Sequence, residues 1–410
     1  MPNYTHPERL MPFSGPGTGI LSYQNTAHNC EVTQMFDIQQ MVRKCILKRK
    51  EYIPGKPIEE VEREYGIPHI IKLDSNENPL GASPLAIEAM IREIKERSHL
   101  YPESLCYDLS RKLAVKFGLQ SESIFIDNGA DGVITMIGLT FLNPEDEVIF
   151  AEISFPAYDN IVAKMGAKSV KIPMRRDFTI DIDAMIKAIH QNTKLIFLCN
   201  PNNPTGLMTS KNEFEQLIAQ IPENVLIISD EAYFEFADHE DYPDTLQYLK
   251  NHKNLIILRS FSKIMGLAGL RVGYAMAAPE IVKAMLKARE PFPVNRIAQA
   301  GALAALDDTA FIDKTKCLNQ EGLHYFYDAF DAMGLTCYKS HTNFIMVDVG
   351  VDADFVFEEL LKKGIIVRPL KAQGIKNGLR ITIGLMEQNH RVIQALKEIF
   401  KGNIQNGKDK

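Results

Sequence analysis

The stretch LIILRSFSK (residues 255–263) begins with four large aliphatic residues and then includes two serines and a lysine. A short, continuous aliphatic run is typical of a strand that is buried on both faces of a parallel sheet. Similar runs lie at residues 195–198 and 225–228, and an amphipathic helical stretch at 212–219 separates them. Strands that alternate with helices predict an α/β fold with right-handed crossovers.

The polar residues that follow these strands are the first candidates for a binding site, because ligands of α/β sheets bind at the carboxyl ends of the strands. Ser260, Ser262 and Lys263 follow the first run, and Arg271 comes eight residues after the lysine. Hydroxyl and guanidinium groups suit a phosphate, and a lysine among other cations becomes a nucleophilic amine. Taken alone, the pattern also fits a solvated lysine.

Two other strand ends carry residues that suit a pyridine ring. In SDEAY (residues 229–233), Asp230 could keep a ring nitrogen protonated, and Tyr233 could reach a ring hydroxyl. The alternative for Asp230 is a helix cap. In NPNNPTG (residues 200–206), two prolines and a glycine indicate a rigid turn that could hold Asn203 against a ring oxygen.

Two upstream segments could complete such a site. DNGADG (residues 127–132) precedes a helical pattern, and its small residues expose backbone N–H groups, including those of Ala130 and Asp131, toward an anion. Phe155 follows another apolar run and could lie flat on an aromatic ligand. Each segment also has a simpler interpretation. DNGADG could be an ordinary helix start, and Phe155 could be a core residue.

The four motifs DNGAD, NPNNPTG, SDEAY and SFSK…GLR occur in this order within residues 127–271, and together they resemble the fold-type I, class I/II aminotransferases. The resemblance implies a large domain with a mostly parallel sheet sandwiched by helices, and a smaller α+β domain. It further implies that Lys263 binds pyridoxal 5'-phosphate as a Schiff base and moves a proton, while Asp230 pairs with the pyridine nitrogen. The other implied cofactor contacts are Asn203 and Tyr233 at the ring hydroxyl, Phe155 on the ring, and Ser260, Ser262, Arg271, Ala130 and Asp131 at the phosphate.

Within that superfamily, residues 42–400 resemble the histidinol-phosphate aminotransferases. The signs are YIPGKPIEEVEREYG, KLDSNENPLGASP, LYPES, REPFPVNRIAQAGALAALDD, GIIVRP and GLRITIG. This resemblance implies a reversible ping-pong exchange of histidinol phosphate and 2-oxoglutarate for imidazole acetol phosphate and glutamate, in histidine biosynthesis. It also implies a homodimer in which Tyr101 reaches the cofactor phosphate of the neighbouring subunit. Substrate binding is expected from Tyr52, Asn203, Arg368 and Arg380.

Three other functions are compatible with the same motifs. An aromatic amino acid aminotransferase shares the whole machinery and differs only in the side-chain pocket. A threonine-phosphate decarboxylase resembles the same scaffold. A non-catalytic regulator that binds pyridoxal phosphate is disfavoured, because the catalytic set is complete and no helix-turn-helix pattern precedes residue 76.

Composition excludes several classes of protein. The 410 residues have a net charge of -6 and 45% hydrophobic content, and no apolar run approaches the roughly 18 residues of a membrane helix. Dispersed Lys and Arg residues give no basic surface for nucleic acid. Six cysteines without a CxxC pattern predict reduced thiols in a cytoplasmic protein, with neither a disulfide framework nor a metal site.

The chain divides into five predicted segments. Residues 1–41 form an N-terminal arm, partly disordered, and residues 42–75 are expected to pack with the small domain. Residues 76–310 form the large cofactor-binding domain, and residues 311–400 form the small domain. Residues 401–410 are a polar tail that we predict to be disordered.

Overall fold

The computed structural model describes residues 36–47, 49 and 56–406, without the side chains of 402–406. Residues 1–35 of the predicted N-terminal arm, and Tyr52, therefore lie outside the described residues. The strands are β1 (Ile71–Lys72), β2 (Ile124–Asp127), β3 (Glu147–Ala151), β4 (Lys168–Ile172), β5 (Thr193–Cys199), β6 (Leu226–Asp230), β7 (Leu255–Ser260), β8 (Gly273–Ala277), β9 (Thr336–Cys337), β10 (Phe344–Asp348), β11 (Ile365–Ile366), β12 (Arg368–Pro369) and β13 (Gly378–Thr382). The α-helices are α1 (Ile38–Met41), α2 (Lys44–Leu47), α3 (Ile58–Tyr65), α4 (Pro84–Arg97), α5 (Tyr107–Phe117), α6 (Gly129–Phe141), α7 (Ala157–Met165), α8 (Ile182–Lys187), α9 (Lys211–Gln220), α10 (Pro279–Ala288), α11 (Arg296–Ala305), α12 (Thr309–Ala332), α13 (Ala353–Leu361) and α14 (Met386–Asn406).

The larger sheet contains seven strands within the described residues, in the order β2-β8-β7-β6-β5-β3-β4. All neighbours are parallel except that β8 runs antiparallel to β2 and β7. Along β5, Ile196 and Leu198 pack into the core on one face, whereas Leu195 and Phe197 pack into the core on the other face. A strand covered on both faces must be apolar at successive positions. The predicted α/β fold with a mostly parallel sheet is confirmed.

Local capping signals set where the connecting helices begin. Ser210 and Glu213 form a capping box at the start of α9, since Ser210 Oγ accepts from the Glu213 N–H and Glu213 Oε2 accepts from the Ser210 N–H. Helix α9 returns the chain from β5 to β6, so that both strands end at the same edge of the sheet. Asp308 caps α12, which therefore starts at Thr309, two residues before the expected start of the small domain at residue 311.

A second sheet, antiparallel throughout, lies in the C-terminal part of the chain in the order β12-β13-β10-β9. It shares a hydrophobic core with α12, α13 and α14 that includes Phe326, Val356 and Leu396. Strand β1 pairs in parallel with β11 and so joins this part of the molecule through backbone hydrogen bonds. The boundaries drawn at residues 41, 75, 310 and 400 stay predictions.

Two features of the C-terminal part concern the extent of its elements. Strands β11 and β12 are separated at Val367 and pair with different partners. Helix α14 continues to Asn406, beyond the boundary expected at residue 400, and 407–410 lie outside the described residues. The segment KGNIQN after Phe400 has no proline to stop a helix. Among the described helices, none is both long and apolar enough to cross a membrane.

Candidate active site

The carboxyl ends of β5, β6 and β7 lie side by side at one edge of the larger sheet. Cys199 pairs with Asp230, and Asp230 pairs with Leu258, in the registers of these three strands. The segments that follow β5 and β7 carry Asn203 and Lys263. The structure thus brings together predicted site residues from three separate parts of the sequence.

Lys263 lies in a partly buried, cationic environment. Its Nζ atom is 3.4 Å from the carbonyl oxygen of Ser75 and 5.6 Å from the centroid of the Tyr233 ring. Burial, together with the nearby Arg380, lowers the pKa of Lys263 to about 8. A lysine with such a pKa has a substantial neutral fraction near physiological pH and can act as a nucleophile or a base.

Asp230 is buried at the end of β6, with 2% of its surface exposed. Its Oδ2 accepts a hydrogen bond of 2.6 Å from the hydroxyl of Tyr158, and its Oδ1 accepts one of 3.2 Å from the Ala232 N–H. Burial raises the pKa of Asp230 to about 6, because the charged form loses its hydration. A cation placed against this carboxylate would favour its charged form, as a protonated ring nitrogen does.

Tyr233 and Asn203 form a chain of polar contacts with two other residues. The Tyr233 hydroxyl accepts from Asn76 Nδ2 at 2.9 Å and from Asn203 Nδ2 at 3.5 Å. Asn203 Oδ1 accepts from Arg380 Nη1 at 2.7 Å. Burial raises the pKa of Tyr233, so the hydroxyl stays protonated and is able to donate to a ligand oxygen.

The side chains of the three asparagines in NPNNPTG have different hydrogen-bond partners. Asn200 bonds to the backbone of Thr209 through both side-chain atoms, at 2.9 and 3.0 Å. Asn202 donates to the carbonyl of Ile153 at 3.0 Å and to Thr205 Oγ1 at 3.0 Å. Among the side chains of these three asparagines, only that of Asn203 hydrogen-bonds to other candidate residues, so the first two side chains fix the turn and the third is presented to the site.

The start of α6 forms a cradle for an anion. Gly129 has a φ of 76°, and a Cβ atom at this position would lie 2.6 Å from Arg271 Nη2. Glycine therefore lets the guanidinium approach the helix N-terminus, where the N–H groups of Ala130 and Asp131 begin the first turn. Arg271 Nη2 also pairs with Asp131 Oδ2 at 3.1 Å. This donor set, with a positive helix end, fits a phosphate.

Ser260 and Ser262 are buried, with 5% and 6% of their surfaces exposed. Ser260 Oγ accepts from the Ser262 N–H at 3.0 Å, which fixes the turn between β7 and Lys263. Phe155 is partly buried and contacts the Tyr158 ring edge-to-face, with centroids 5.9 Å apart. These contacts place the residues near the strand ends, and their roles toward a ligand stay predictions.

The two arginines expected to bind substrate face each other across adjacent strands. Arg368 on β12 and Arg380 on β13 are direct partners in the antiparallel register. Arg380 Nη2 donates to the carbonyl of Asp74, and Arg368 Nη2 lies 3.6 Å from Asp74 Oδ2. Like charges placed directly opposite one another repel, so this pair favours an anion nearby.

Tyr101 lies apart from this group, and Tyr52 lies outside the described residues. The Tyr101 side chain is 79% exposed, and its ring stacks on that of Phe292 with centroids 4.9 Å apart. The structure of one chain therefore does not bring Tyr101 to the other candidate residues.

The segment 74–78 is a part of the site to which sequence reasoning assigned no role. Ser75 contacts Lys263 Nζ, and Asn76 contacts the Tyr233 hydroxyl. Asn78 Nδ2 donates to the carbonyl of Ile264 at 3.0 Å. The dense run of polar residues in LDSNEN was the available signal. Tyr158, which binds Asp230, was also missed.

Comparison with known proteins gives one family. The model of aminotransferase class I and II matches residues 68–396. A histidinol-phosphate aminotransferase of Moorella thermoacetica is 46% identical over 359 residues, which are 87% of this chain and 92% of that protein. One of Bacillus subtilis is 42% identical and covers 88% of this chain and 99% of its own.

Solved structures agree in fold. The histidinol-phosphate aminotransferase of Sinorhizobium meliloti, in complex with pyridoxal-5'-phosphate, has a TM-score of 0.81 at 27% identity, covering 88% of this chain and 98% of its own. An aspartate aminotransferase of Thermus thermophilus with maleate has a TM-score of 0.74 at 21% identity, covering 87% of this chain and 98% of its own, which shows the shared fold alone.

Proposed function

Since the chain belongs to the class I and II aminotransferases, which use pyridoxal 5'-phosphate, we propose that it transfers an amino group between histidinol phosphate and 2-oxoglutarate. The products are imidazole acetol phosphate and glutamate, and the reaction is a reversible step of histidine biosynthesis. The observation that carries this proposal is the cross-strand pair of Arg368 and Arg380, the second of which acts on the pKa of Lys263. Two guanidinium groups, one of which is close enough to the reactive amine to lower its pKa, suit a substrate with a phosphate.

The donor set at the strand ends suits this cofactor. When bound, pyridoxal 5'-phosphate supplies an electron-withdrawing ring that stabilises negative charge at the substrate Cα. We assign Asp230 to the ring nitrogen, Asn203 and Tyr233 to the ring hydroxyl, and Lys263 to the aldehyde carbon. The remaining contacts are Phe155 at the ring face, and Ser260, Ser262, Arg271 and the N–H groups of Ala130 and Asp131 at the phosphate.

Lys263 also has the properties of the base that moves a proton at the substrate Cα. Its lowered pKa leaves part of the amine neutral near pH 7 and able to accept a proton. The ring of Tyr233 and the carbonyl of Ser75 lie close enough to stabilise the ammonium that results. The proton that leaves the substrate Cα is thus accepted by an amine that the chain holds in one place, and the same amine can return it.

Arg380 orients the substrate in this proposal. Asn203 and the Asp74 carbonyl hold its guanidinium, which lies 5.3 Å from the centroid of the Phe344 ring. A side chain fixed in this way binds an anionic substrate group without losing further side-chain freedom. We assign Arg368 and Tyr52 to the same anionic end of the substrate.

We further propose a homodimer with shared active sites. On α4, Ile87, Ile91 and Ile94 form an outward stripe in which each side chain is 42–48% exposed. Tyr101 follows this helix, and its carbonyl accepts from Arg296 Nη1 at 2.9 Å. An apolar stripe next to an exposed but anchored tyrosine suits contact with a second copy, whose cofactor phosphate Tyr101 would reach.

A cytoplasmic location is also part of the proposal. The cysteines in the described part of the chain, Cys45, Cys106, Cys199, Cys317 and Cys337, are free thiols. Free thiols are usual in a reducing compartment. Fluorescence of a tagged chain in its own cells would test the location.

The test of function is a single-turnover comparison of amino donors. Purified enzyme loaded with cofactor is mixed in turn with histidinol phosphate, phenylalanine, tyrosine, glutamate and threonine phosphate, and the cofactor absorbance is followed. Histidinol phosphate is expected to react at the lowest concentration among the donors other than glutamate. Reaction with phenylalanine but not histidinol phosphate would identify an aromatic amino acid aminotransferase, and carbon dioxide released from threonine phosphate would identify a decarboxylase.

A further inference from the structure

Lys72 lies at the end of β1, next to the arginines assigned to the substrate. Its neighbours Ile71 and Leu73 are buried in the C-terminal core, so the alternation of a strand turns Lys72 to the opposite side. The Lys72 ammonium contacts Asp74 Oδ1 at 2.8 Å and Ser75 Oγ at 2.6 Å. The adjacent Ser75 is also the residue whose carbonyl contacts Lys263. Ser75 therefore contacts both Lys72 and the reactive amine.

One buried carboxylate links Lys72 to both arginines. Asp74 has only 1% of its side chain exposed, and its two oxygens face Lys72 at 2.8 Å and Arg368 at 3.6 Å. The carbonyl of the same residue accepts from Arg380. Two cations, Lys72 and Arg368, thus share one buried carboxylate, and Arg380 is held by the backbone carbonyl of the same residue. Glu77, which lies 3.3 Å from Lys72, is 54% exposed and neutralises it less, because solvent screens the pair.

The cations around Asp74 provide more positive charge than one carboxylate group of a substrate requires. A phosphate monoester carries about -1.5 to -2 charges at pH 7 and three acceptor oxygens, whereas each carboxylate of glutamate carries one charge and two oxygens. A guanidinium binds two oxygens side by side, but a third oxygen needs another donor. A lysine ammonium on a flexible stem supplies such a donor as a point charge.

We propose that Lys72, positioned by Asp74, is a specificity-determining residue that binds the substrate phosphate together with Arg368 and Arg380. This inference rests on the proposed function, because it concerns the substrate of the same site. The side chains of Lys72 and Arg368 are 21% and 26% exposed, so both can reach a ligand that enters from solvent. Asp74 holds the two cations near each other in the free enzyme, which reduces the cost of bringing them together when the phosphate binds.

The test is to replace Lys72 with methionine, which keeps the length of the side chain and removes its charge. For Lys72→Met, KM for histidinol phosphate is expected to rise roughly ten- to a hundredfold. This range corresponds to the free energy of one hydrogen bond to a charged group. KM for glutamate should change less than about threefold, and kcat should change little for both. Lys72→Arg should recover most of the loss.

Equilibrium binding provides a readout that does not depend on turnover. Calorimetry would compare an amine-free imidazolylpropyl phosphate with glutarate, and only the phosphate should lose affinity in Lys72→Met. Lys363→Met is the matched control, since Lys363 lies in the same part of the fold and also pairs with a carboxylate, Glu398, at 2.6 Å. This control should bind both ligands as the wild type does.

The outcomes separate the two proposals. Equal losses for both ligands, or no loss for either, would overturn the role of Lys72. If Lys72→Met does not fold, Lys72→Gln is measured in its place and judged by the same ratio. A wild-type enzyme that does not turn over histidinol phosphate would refute the proposed function, whereas an active wild type with a non-discriminating variant would refute only the inference about Lys72.

Discussion

The hydroxyl of Tyr158 donates a 2.6 Å hydrogen bond to Oδ2 of Asp230, and both residues are buried. The Tyr158 ring stacks on Phe197 with centroids 4.4 Å apart and planes within 9° of each other, which fixes the direction of the hydroxyl. Asp230 must be charged to pair with a protonated ring nitrogen, yet burial raises its pKa to about 6. Tyr158 offsets part of this penalty, because its hydrogen bond favours the charged carboxylate.

Tyr158→Phe is therefore expected to weaken the binding of pyridoxal 5'-phosphate. Loss of one hydrogen bond to a charged group should raise its Kd roughly tenfold and lower kcat, because the pKa of Asp230 rises further. Fluorescence titration of cofactor-free enzyme measures the Kd. Tyr248→Phe is a matched control that removes a hydroxyl bound to Glu215 at 2.7 Å, and it should change neither value. An unchanged Kd in Tyr158→Phe would contradict the role of Tyr158.

The proposed attachment of the cofactor to Lys263 should depend on pH in a defined direction. Its pKa is lowered to about 8, and only the neutral amine is nucleophilic, so the neutral fraction grows as pH rises through 8. In cofactor-free enzyme mixed with pyridoxal 5'-phosphate, the rate of absorbance change should rise about tenfold per pH unit below 8 and level off above it.

Arg380→Met should move this profile to higher pH, because Arg380 is one cause of the lowered pKa. Arg175→Met is the control, since Arg175 pairs with Glu213 at the start of α9 and should leave the profile in place. A rate that does not vary between pH 6 and 9 would contradict a titrating amine.

The buried pair of Arg259 and Glu231 predicts a large effect on stability. Arg259 donates from Nε and Nη2 to Glu231 Oε2 at 3.0 and 2.9 Å, and both side chains are at most 5% exposed. Arg259→Met leaves a buried carboxylate without its counter-charge, which should lower the free energy of unfolding by about 3–5 kcal/mol. Urea denaturation of the cofactor-free protein measures this change.

Replacing both partners tests the cause of that loss. The double variant Arg259→Met/Glu231→Leu should recover part of the stability, because no buried charge remains. Lys112→Met, which breaks an exposed pair with Asp307, should cost less than about 1 kcal/mol. Additive losses in the double variant would indicate that packing, and not the unpaired charge, determines the effect.

The sequence allowed prediction of the residues that follow strands, because periodicity locates strands and the carboxyl ends of parallel strands share one edge. Lys263 and Asp230 were found in this way. Asp74 and Ser75 were not given a role, because their place beside Lys263 depends on the pairing of β1 with β11, nearly 300 residues away in sequence. Pairing of two-residue strands leaves no periodic signal.

Tyr158 shows a different limit of sequence reasoning. A tyrosine in an amphipathic helix reads as a core residue, and its ring does lie in the core. Its hydroxyl acquires a role only because α7 sets it against the end of β6, which is a matter of tertiary packing. The same holds for NPNNPTG, where the sequence indicated a rigid turn that presents Asn203, but not the contacts through which Asn200 and Asn202 fix that turn.

Tyr101 allows the proposed sharing of active sites between two subunits to be tested by complementation. In a heterodimer of Tyr101→Ala and Lys263→Ala chains, the Tyr101→Ala chain keeps its own Lys263 and receives Tyr101 from its partner, so one of the two sites is complete. Random exchange of equal amounts makes about half of the dimers mixed, so activity at limiting cofactor should reach about a quarter of the wild-type value. Each variant alone should fall well below this level, since Lys263→Ala lacks the amine and Tyr101→Ala lacks a phosphate ligand. If Tyr101 served the site of its own chain, the mixture would recover nothing, because every site would lack one of the two residues.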